Sequence, residues 1–266
     1  MVICEIDNSN LSSFSNTAAE FGVERYGYVV TPNVDHLIRY FEEPAYRAIY
    51  RSAEYNLLDS RVVALAARLL KGLRLGICPG ADLTAELLRH VVSPLDPIVL
   101  IGGSESQAKR LVDKYGLRNV HHHNPPMGFI KDAEATEACL CFIESHSPFR
   151  FCFLAVGSPQ QEMIAQGLQA RGKARGLVLC VGAALNFLTG VERRAPRWMQ
   201  RFALEWLYRL TQDPRRLAYR YLVRGPRLFR YLLGGRLVLR PRPPAHEVAA
   251  PEPDLSTEIH GRAAAP

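Results

Sequence analysis

An α/β fold, with a parallel sheet covered by helices on both faces, is what this sequence of 266 residues predicts. Three observations carry it. Between Tyr26 and Leu188 short apolar runs alternate with amphipathic stretches of helical length. The runs are continuously apolar, as strands buried on both faces are, and do not alternate apolar with polar. Most runs end in a turn of Gly, Pro, Asn or Ser that leads into a helix, which is the strand–turn–helix unit of a parallel sheet.

Taken in order, Tyr26-Val30 reads as a strand, and Asn33 caps a helix that begins near Val34. Tyr55-Leu58 is a short strand, and Ser60 caps a helix through Leu70. Pro97-Ile101 is a strong strand, closed by Gly102-Gly103 and followed by a helix from about Ser106 to Tyr115. Arg150-Val156 is the next strand; Ser158-Pro159 then opens a helix, Gln160-Gln169, and Leu177-Val181 is the last strand. Together these units describe a Rossmann-like sheet. After Gly190 the chain changes to arginine-rich helices without strands, with Trp198-Leu210 and Arg215-Val223 as separate helices begun near Pro196 and Pro214. Gly225-Pro226 breaks the run before a weaker segment, Arg227-Leu233, and the proline- and alanine-rich residues from Pro241 onward are expected to be disordered. The organisation expected is a core over 1-190, a basic appendage over 191-240 and a tail over 241-266.

With 48% of its residues hydrophobic and 22% charged, the chain has material for one substantial core. Met1 to Asn10 lacks a basic stretch followed by an apolar one, so no secretory signal is expected there. The longest apolar stretch, Gly176-Leu188, is too short to cross a bilayer and is broken by Gly182 and Asn186, so membrane contact should be peripheral. The six cysteines have no Cys-x-x-Cys spacing and are read as reduced, buried thiols in a cytoplasmic protein.

The charge is unevenly placed. Residues 191-240 hold thirteen arginines, no lysine and only the acids Glu192, Glu205 and Asp213, a net +10 against +7 for the whole chain. Trp198, Met199, Phe202, Trp206 and Tyr208 lie among them. Guanidinium groups beside apolar anchors suit a surface that displays phosphate, such as a membrane face or a phosphorylated lipid. A solvated basic helix would explain the aromatic residues but not the scarcity of acids.

In an open α/β sheet, ligands bind beyond the carboxyl ends of the strands. Thr31-Pro32-Asn33, Asp59-Ser60, Gly102-Gly103-Ser104 and Gly157-Ser158-Pro159-Gln160-Gln161-Glu162 occupy those ends. Two of these turns contain glycine and run into helix N-termini, which serve equally as plain turns or as phosphate cradles. Ile101-Gly102-Gly103-Ser104 is neither a Walker A loop nor a Gly-x-Gly-x-x-Gly fingerprint. Asp59 is placed either to act as a general base or to cap the helix that follows it. Gln161 is placed either to read a ligand amide or hydroxyl or to sit on the surface. His121-His122-His123 cannot converge on one ion, because successive strand residues face opposite ways, and the chain has no Asp-x-Asp. No metal site and no cofactor are expected.

Several of these segments, in order, resemble one family. Arg194-Ala195-Pro196-Arg197-Trp198-Met199-Gln200 and Leu204-Glu205-Trp206-Leu207-Tyr208-Arg209-Leu210 look like the C-terminal signature of the WecG/TagA/CpsF glycosyltransferases. Thr31-Pro32-Asn33, Gly80-Ala81-Asp82-Leu83, Leu100-Ile101-Gly102-Gly103, Gly157-Ser158-Pro159-Gln160-Gln161-Glu162 and Val181-Gly182-Ala183-Ala184-Leu185-Asn186 resemble its further elements. The likeness covers about Gly27 to Tyr221.

The resemblance implies an inverting bacterial transferase. It would move a sugar from a UDP-sugar to a polyprenyl-diphosphate-linked saccharide, in cell-surface or exopolysaccharide synthesis, at the inner face of the cytoplasmic membrane. Asp59 would match the family's proposed catalytic base, Thr31 and Asn33 would line the active site, and Gln161 would line the UDP-sugar pocket. Gly102 and Gly103 fall in a matching turn, and Asn186 stands where an aspartate near the nucleotide is expected. Arg209, Arg216 and Arg220 are the candidates for diphosphate contact. The chain departs from the family where Pro-Asp-Gly reads Leu58-Asp59-Ser60, where Asn186 replaces Asp, and where Gln160 replaces the usual Lys. His122-His123-Asn124-Pro125-Pro126-Met127-Gly128-Phe129 only partly resembles the Gly-Tyr-Phe element.

Those departures motivate a rival, a membrane-surface adaptor that binds nucleotide without transfer. A nucleic-acid binder rests on the basic segment alone, and a nicotinamide dehydrogenase lacks its fingerprint, so no nucleic-acid partner is expected. The partners expected are a UDP-sugar, the lipid-linked acceptor and a membrane surface met through 191-240, and a homo-oligomer remains open. The sequence leaves the donor sugar and the acceptor saccharide unnamed.

Overall fold

The computed structural model describes residues 2-240, and the tail predicted to be disordered lies outside them. The chain opens with β1 (Cys4–Ile6) and α1 (Leu11–Glu20), then β2 (Tyr26–Val30), α2 (Val34–Glu42), α3 (Pro44–Ser52), β3 (Tyr55–Asn56) and α4 (Arg61–Lys71). Next come α5 (Gly80–His90), β4 (Ile98–Ile101), α6 (Glu105–Tyr115) and β5 (Val120–His123). A 3₁₀ turn at Phe129–Lys131 leads to α7 (Ala133–Ser145), β6 (Phe151–Leu154), α8 (Gln160–Arg171), β7 (Gly176–Cys180) and α9 (Ala184–Leu188). The basic segment holds α10 (Arg197–Arg201), α11 (Glu205–Gln212), α12 (Pro214–Ala218), a π-helical stretch Tyr219–Arg224, α13 (Arg227–Leu233) and β8 (Leu237–Leu239).

Six strands form one parallel sheet in the order β3-β2-β7-β6-β4-β5. The predicted α/β class and its helical cover on both faces are therefore present. Every residue of β4, β6 and β7 is buried, and alternate residues feed two cores. Val99, Ile101, Cys152, Leu154, Val178 and Cys180 pack with α2, α3, α7, α8 and α13. Ile98, Leu100, Phe151, Phe153, Leu177 and Leu179 pack with α1, α5, α6 and α9. All strands point the same way, so the chain leaves the sheet toward helix N-termini along one edge, and the candidate residues gather there.

The caps read from sequence hold. The Asn33 side chain accepts from the Asp35 and His36 amides to start α2, and Ser60 Oγ accepts from the Val63 amide at 3.2 Å to start α4. Asp59 is thus released from the capping alternative. Cys141 is the one exposed thiol of the six; the other five are buried, and all are free.

Three expectations for the basic segment are corrected. Trp198-Leu210 is two helices, because Ala203 adopts a left-handed φ of 59°. There the Leu204 amide bonds the Met199 carbonyl at 2.8 Å and the Ala203 amide bonds the Gln200 carbonyl at 3.1 Å. This is a Schellman closure with alanine where glycine is usual, so the sequence carries no warning of it. The segment also ends in a strand: β8 pairs in parallel with β1, Cys4 to Leu237 and Ile6 to Leu239. Three residues are too few for a periodicity signal, and the partner lies at the opposite end of the chain. Arg215-Val223 likewise divides into α12 and the π-helical stretch.

Candidate active site

Asp59 follows the short edge strand β3, and the backbone holds it firmly. Its amide donates to the Pro32 carbonyl at 2.9 Å, tying it to the turn after β2, and the Cys78 amide donates to the neighbouring Leu58 carbonyl at 2.9 Å. The side chain opens into a cavity of about 330 Å³, roofed by the basic segment and floored by the sheet edge. Asn33, Asp35 and Arg61 face it from the core; Glu205, Arg209 and Arg220 face it from the appendage. Trp206, Tyr221, Leu228 and Phe229 complete an apolar wall. Such a chamber suits a ligand that carries charge at one end and hydrocarbon at the other.

Although part of Asp59 reaches the cavity, its carboxyl is packed deeply. Loss of water pushes its pKa up to about 7. The Arg209 guanidinium, a hydrogen bond from the Gly80 amide and Arg194 pull it down, and Glu205 pushes it further up. A carboxylate that titrates near neutrality suits general base catalysis, where it has to take a proton and give it up again. Beside it, Asn33 Oδ1 accepts from Arg220 Nη2 at 3.3 Å as well as capping α2. Asp35 holds Arg220 at 3.8 Å and Arg224 at 3.3 Å. His36 is buried between the Tyr46 and Tyr50 rings, and burial, aided by Arg220, lowers its pKa to about 4, so it is neutral at pH 7.

The other predicted residues are distributed differently. Thr31 is buried and its hydroxyl donates to the Cys180 carbonyl at 3.0 Å, locking β2 to β7 below the cavity. Gln161 is also buried, which removes the surface alternative; its Oε1 accepts from the Gly182 amide at 2.8 Å and its Nε2 donates to Glu162 at 2.9 Å. Asn186 accepts from Gln107 at 2.9 Å and donates to Glu192 at 2.8 Å. Gly102 and Gly103 have φ of +95° and +75°, and a Cβ on Gly102 would stand 2.8 Å from the Ala155 carbonyl oxygen. Their turn is already satisfied in part: the Gly102 amide bonds His123 O at 2.9 Å, and the Ser104 amide bonds Gln107 Oε1 at 2.9 Å. These four residues follow the carboxyl ends of β4, β6 and β7. The Arg216 side chain lies outside the described residues.

The three consecutive histidines diverge. His122 Nε2 meets the Gly102 and Gly103 carbonyls at 3.2 and 3.1 Å, while His121 stacks on His146 and His123 on Phe142. Among the described residues, no three His, Cys, Asp or Glu side chains gather closely enough to hold a metal ion.

The model of the glycosyl transferase WecG/TagA/CpsF family matches residues 2-242. The chain belongs to this family. WecG/TagA/CpsF proteins are glycosyltransferases of cell-surface polysaccharide synthesis. The match spans the basic segment as well as the sheet.

In this family member Arg194, Arg220, Arg224, Arg227 and Arg240 of that segment turn to acids of the core. Arg194 pairs with Asp82, Arg224 and Arg227 with Glu42, and Arg240 with Glu5 and Asp7, in addition to the Asp35 contacts. The acids scarce within the segment are supplied by the core it covers, a relation that no local reading of composition reveals. Arg193, Arg197, Arg201, Arg215 and Arg230 are exposed, together with Trp198, Phe202, Tyr219, Leu222 and Phe229. Asp35, Glu205 and Trp206 were not singled out from sequence as cavity residues. Glu205 and Trp206 lie in the C-terminal signature, the sequence signal from which their place could have been read.

Proposed function

We propose that this chain is an inverting UDP-sugar transferase acting on a polyprenyl-diphosphate-linked saccharide, with Asp59 as general base. The observation that supports it most is the placement of one deeply packed carboxyl, free of capping duty, in a chamber whose far wall carries Arg209 and Arg220. Asp59 takes the proton of the acceptor hydroxyl as its oxygen attacks the anomeric carbon. The bond from that carbon to the UDP oxygen breaks, and its electron pair leaves on the β-phosphate. A single displacement inverts the anomeric centre. Arginine groups counter the charge that develops on the departing diphosphate. Gly102, Gly103, Gln161 and Asn186 receive the nucleotide beyond the strand ends; Thr31 and Asn33 hold the turn beside the base.

The test is UDP release from a panel of UDP-sugars, with and without a bacterial lipid extract and with and without EDTA. Release that needs one donor and the lipid supports the proposal, and survival in EDTA assigns the counter-charge to arginine. Bound UDP with no release from any donor favours the adaptor reading, which draws on the internal engagement of Asn186 and Gln161.

The exposed aromatic and arginine side chains support peripheral attachment at the cytoplasmic membrane face, and no helix among the described residues is long and apolar enough to cross a membrane. Sedimentation with phosphatidylglycerol vesicles in about 0.1 M salt is expected to fall roughly tenfold in the W198S/F202S double variant and to weaken as salt is raised. Unchanged sedimentation of that variant would remove the attachment surface from this segment.

A further inference from the structure

The seam between the two halves of the site is bridged by one aromatic ring. Phe187 follows Asn186 on α9, on the nucleotide side. Two guanidinium groups lie over its ring: Arg209 at 5.0 Å and Arg194 at 5.8 Å from the ring centre. Arg194 is anchored to the core by two contacts with Asp82 of α5, one of them Nη2 to Oδ2 at 3.3 Å, and it reaches Phe187 as a fixed cation. Among the described residues Arg209 makes its ion pair within its own helix, with Glu205 one turn earlier on α11 at 3.7 Å, while its charge acts on the Asp59 carboxyl and the Phe187 ring of α9 lies against its guanidinium. Its position in the Asp59 cavity therefore depends on an aromatic face at the end of α9.

We propose that Phe187 is a positioning residue that holds Arg209 in the Asp59 cavity, so that the element on the nucleotide side sets the cation beside the base. Use of that cation in catalysis rests on the transferase reading; its placement does not. The groups facing Asp59 are Arg209 and Glu205 from α11, Arg194 from the segment before α10, the Gly80 amide of α5 and the Cys78 thiol just before it. Arg61 on α4, with Asp35 and Arg220, faces the same cavity. Of these, Arg209 and Arg194 lie over the Phe187 ring, and Arg194 keeps Asp82 when the ring is removed.

The experiment follows the Asp59 carboxyl by NMR in protein labelled with ¹³C at aspartate side-chain carboxyls, its signal assigned by its absence in D59N. F187L retains bulk but removes the aromatic face. It is expected to raise the Asp59 midpoint by roughly half a pH unit. R209M should raise it at least as much, the F187L/R209M double variant no further than R209M, and F187Y should match the parent. Thermal unfolding checks each variant; should F187L not fold, F187M carries the same comparison. An unmoved midpoint in F187L, or additive shifts in the double variant, would overturn the proposal. In transfer assays, the same acceptor rate should fall roughly three- to tenfold in F187L and not again when it is added to R209M. If the parent transfers no sugar while the midpoints follow this pattern, the transferase reading fails and the positioning role stands.

Discussion

Asp59→Asn lowers kcat for sugar transfer by roughly a thousandfold while UDP binding stays within a few fold of the parent. The amide occupies the same volume and still receives the Gly80 amide, but it cannot take the acceptor proton. In the parent, kcat/KM should fall about tenfold per pH unit below pH 7, because protonation of a carboxyl with pKa about 7 removes the base. The same shift gives an opposite effect on stability. The folded-state pKa lies above the unfolded value of about 3.9, so the native protein binds more protons between these pH values. Its stability therefore declines as the pH rises through that window, and the full penalty, up to about 4 kcal/mol, is present above pH 7. Asp59→Asn should consequently be more resistant to urea than the parent at pH 8, with the gap shrinking at pH 5. A variant that transfers sugar at more than a tenth of the parental rate, or that is less stable than the parent at pH 8, would remove Asp59 from the role of buried base.

Arg220→Met is the second large effect. Its guanidinium spans the cavity mouth, with Nη2 3.3 Å from Asn33 Oδ1 and Nε 3.8 Å from Asp35. Loss of a preorganised cation that meets the leaving diphosphate should cost about a hundredfold in kcat. Asp35 keeps Arg224 at 3.3 Å, so the carboxylate is not left unpaired and the fold should survive. Lysine should restore little, since one ammonium cannot reach both Asn33 and a phosphate in the way a planar fork does. Lys109→Ala, which breaks an exposed pair with Asp113 on α6, is the control and should stay within twofold. An Arg220→Met rate within threefold of the parent would show that the leaving group is met elsewhere.

The sequence by itself determined the parallel sheet and the edge where the candidates gather. Strands such as Ile98–Ile101 and Gly176–Cys180 are buried on both faces and therefore show as unbroken apolar runs. Local hydrogen bonding likewise made the Asn33 and Ser60 caps legible, since a side chain that satisfies amides two or three residues on leaves its mark within one turn. The family motifs pointed to Asp59, Arg209 and Arg220, which the fold brings into one cavity. Only the tertiary structure decided how that cavity is closed. Ala203 turns the chain left-handed without a glycine, β8 finds its partner β1 more than two hundred residues away, and core acids neutralise arginines that look unpaired in their own segment. Gln161 and Asn186, read as ligand contacts, are engaged by Gly182, Gln107 and Glu192. Hydrogen bonds and ion pairs between distant segments depend on three-dimensional proximity, and neither composition nor local periodicity encodes that proximity.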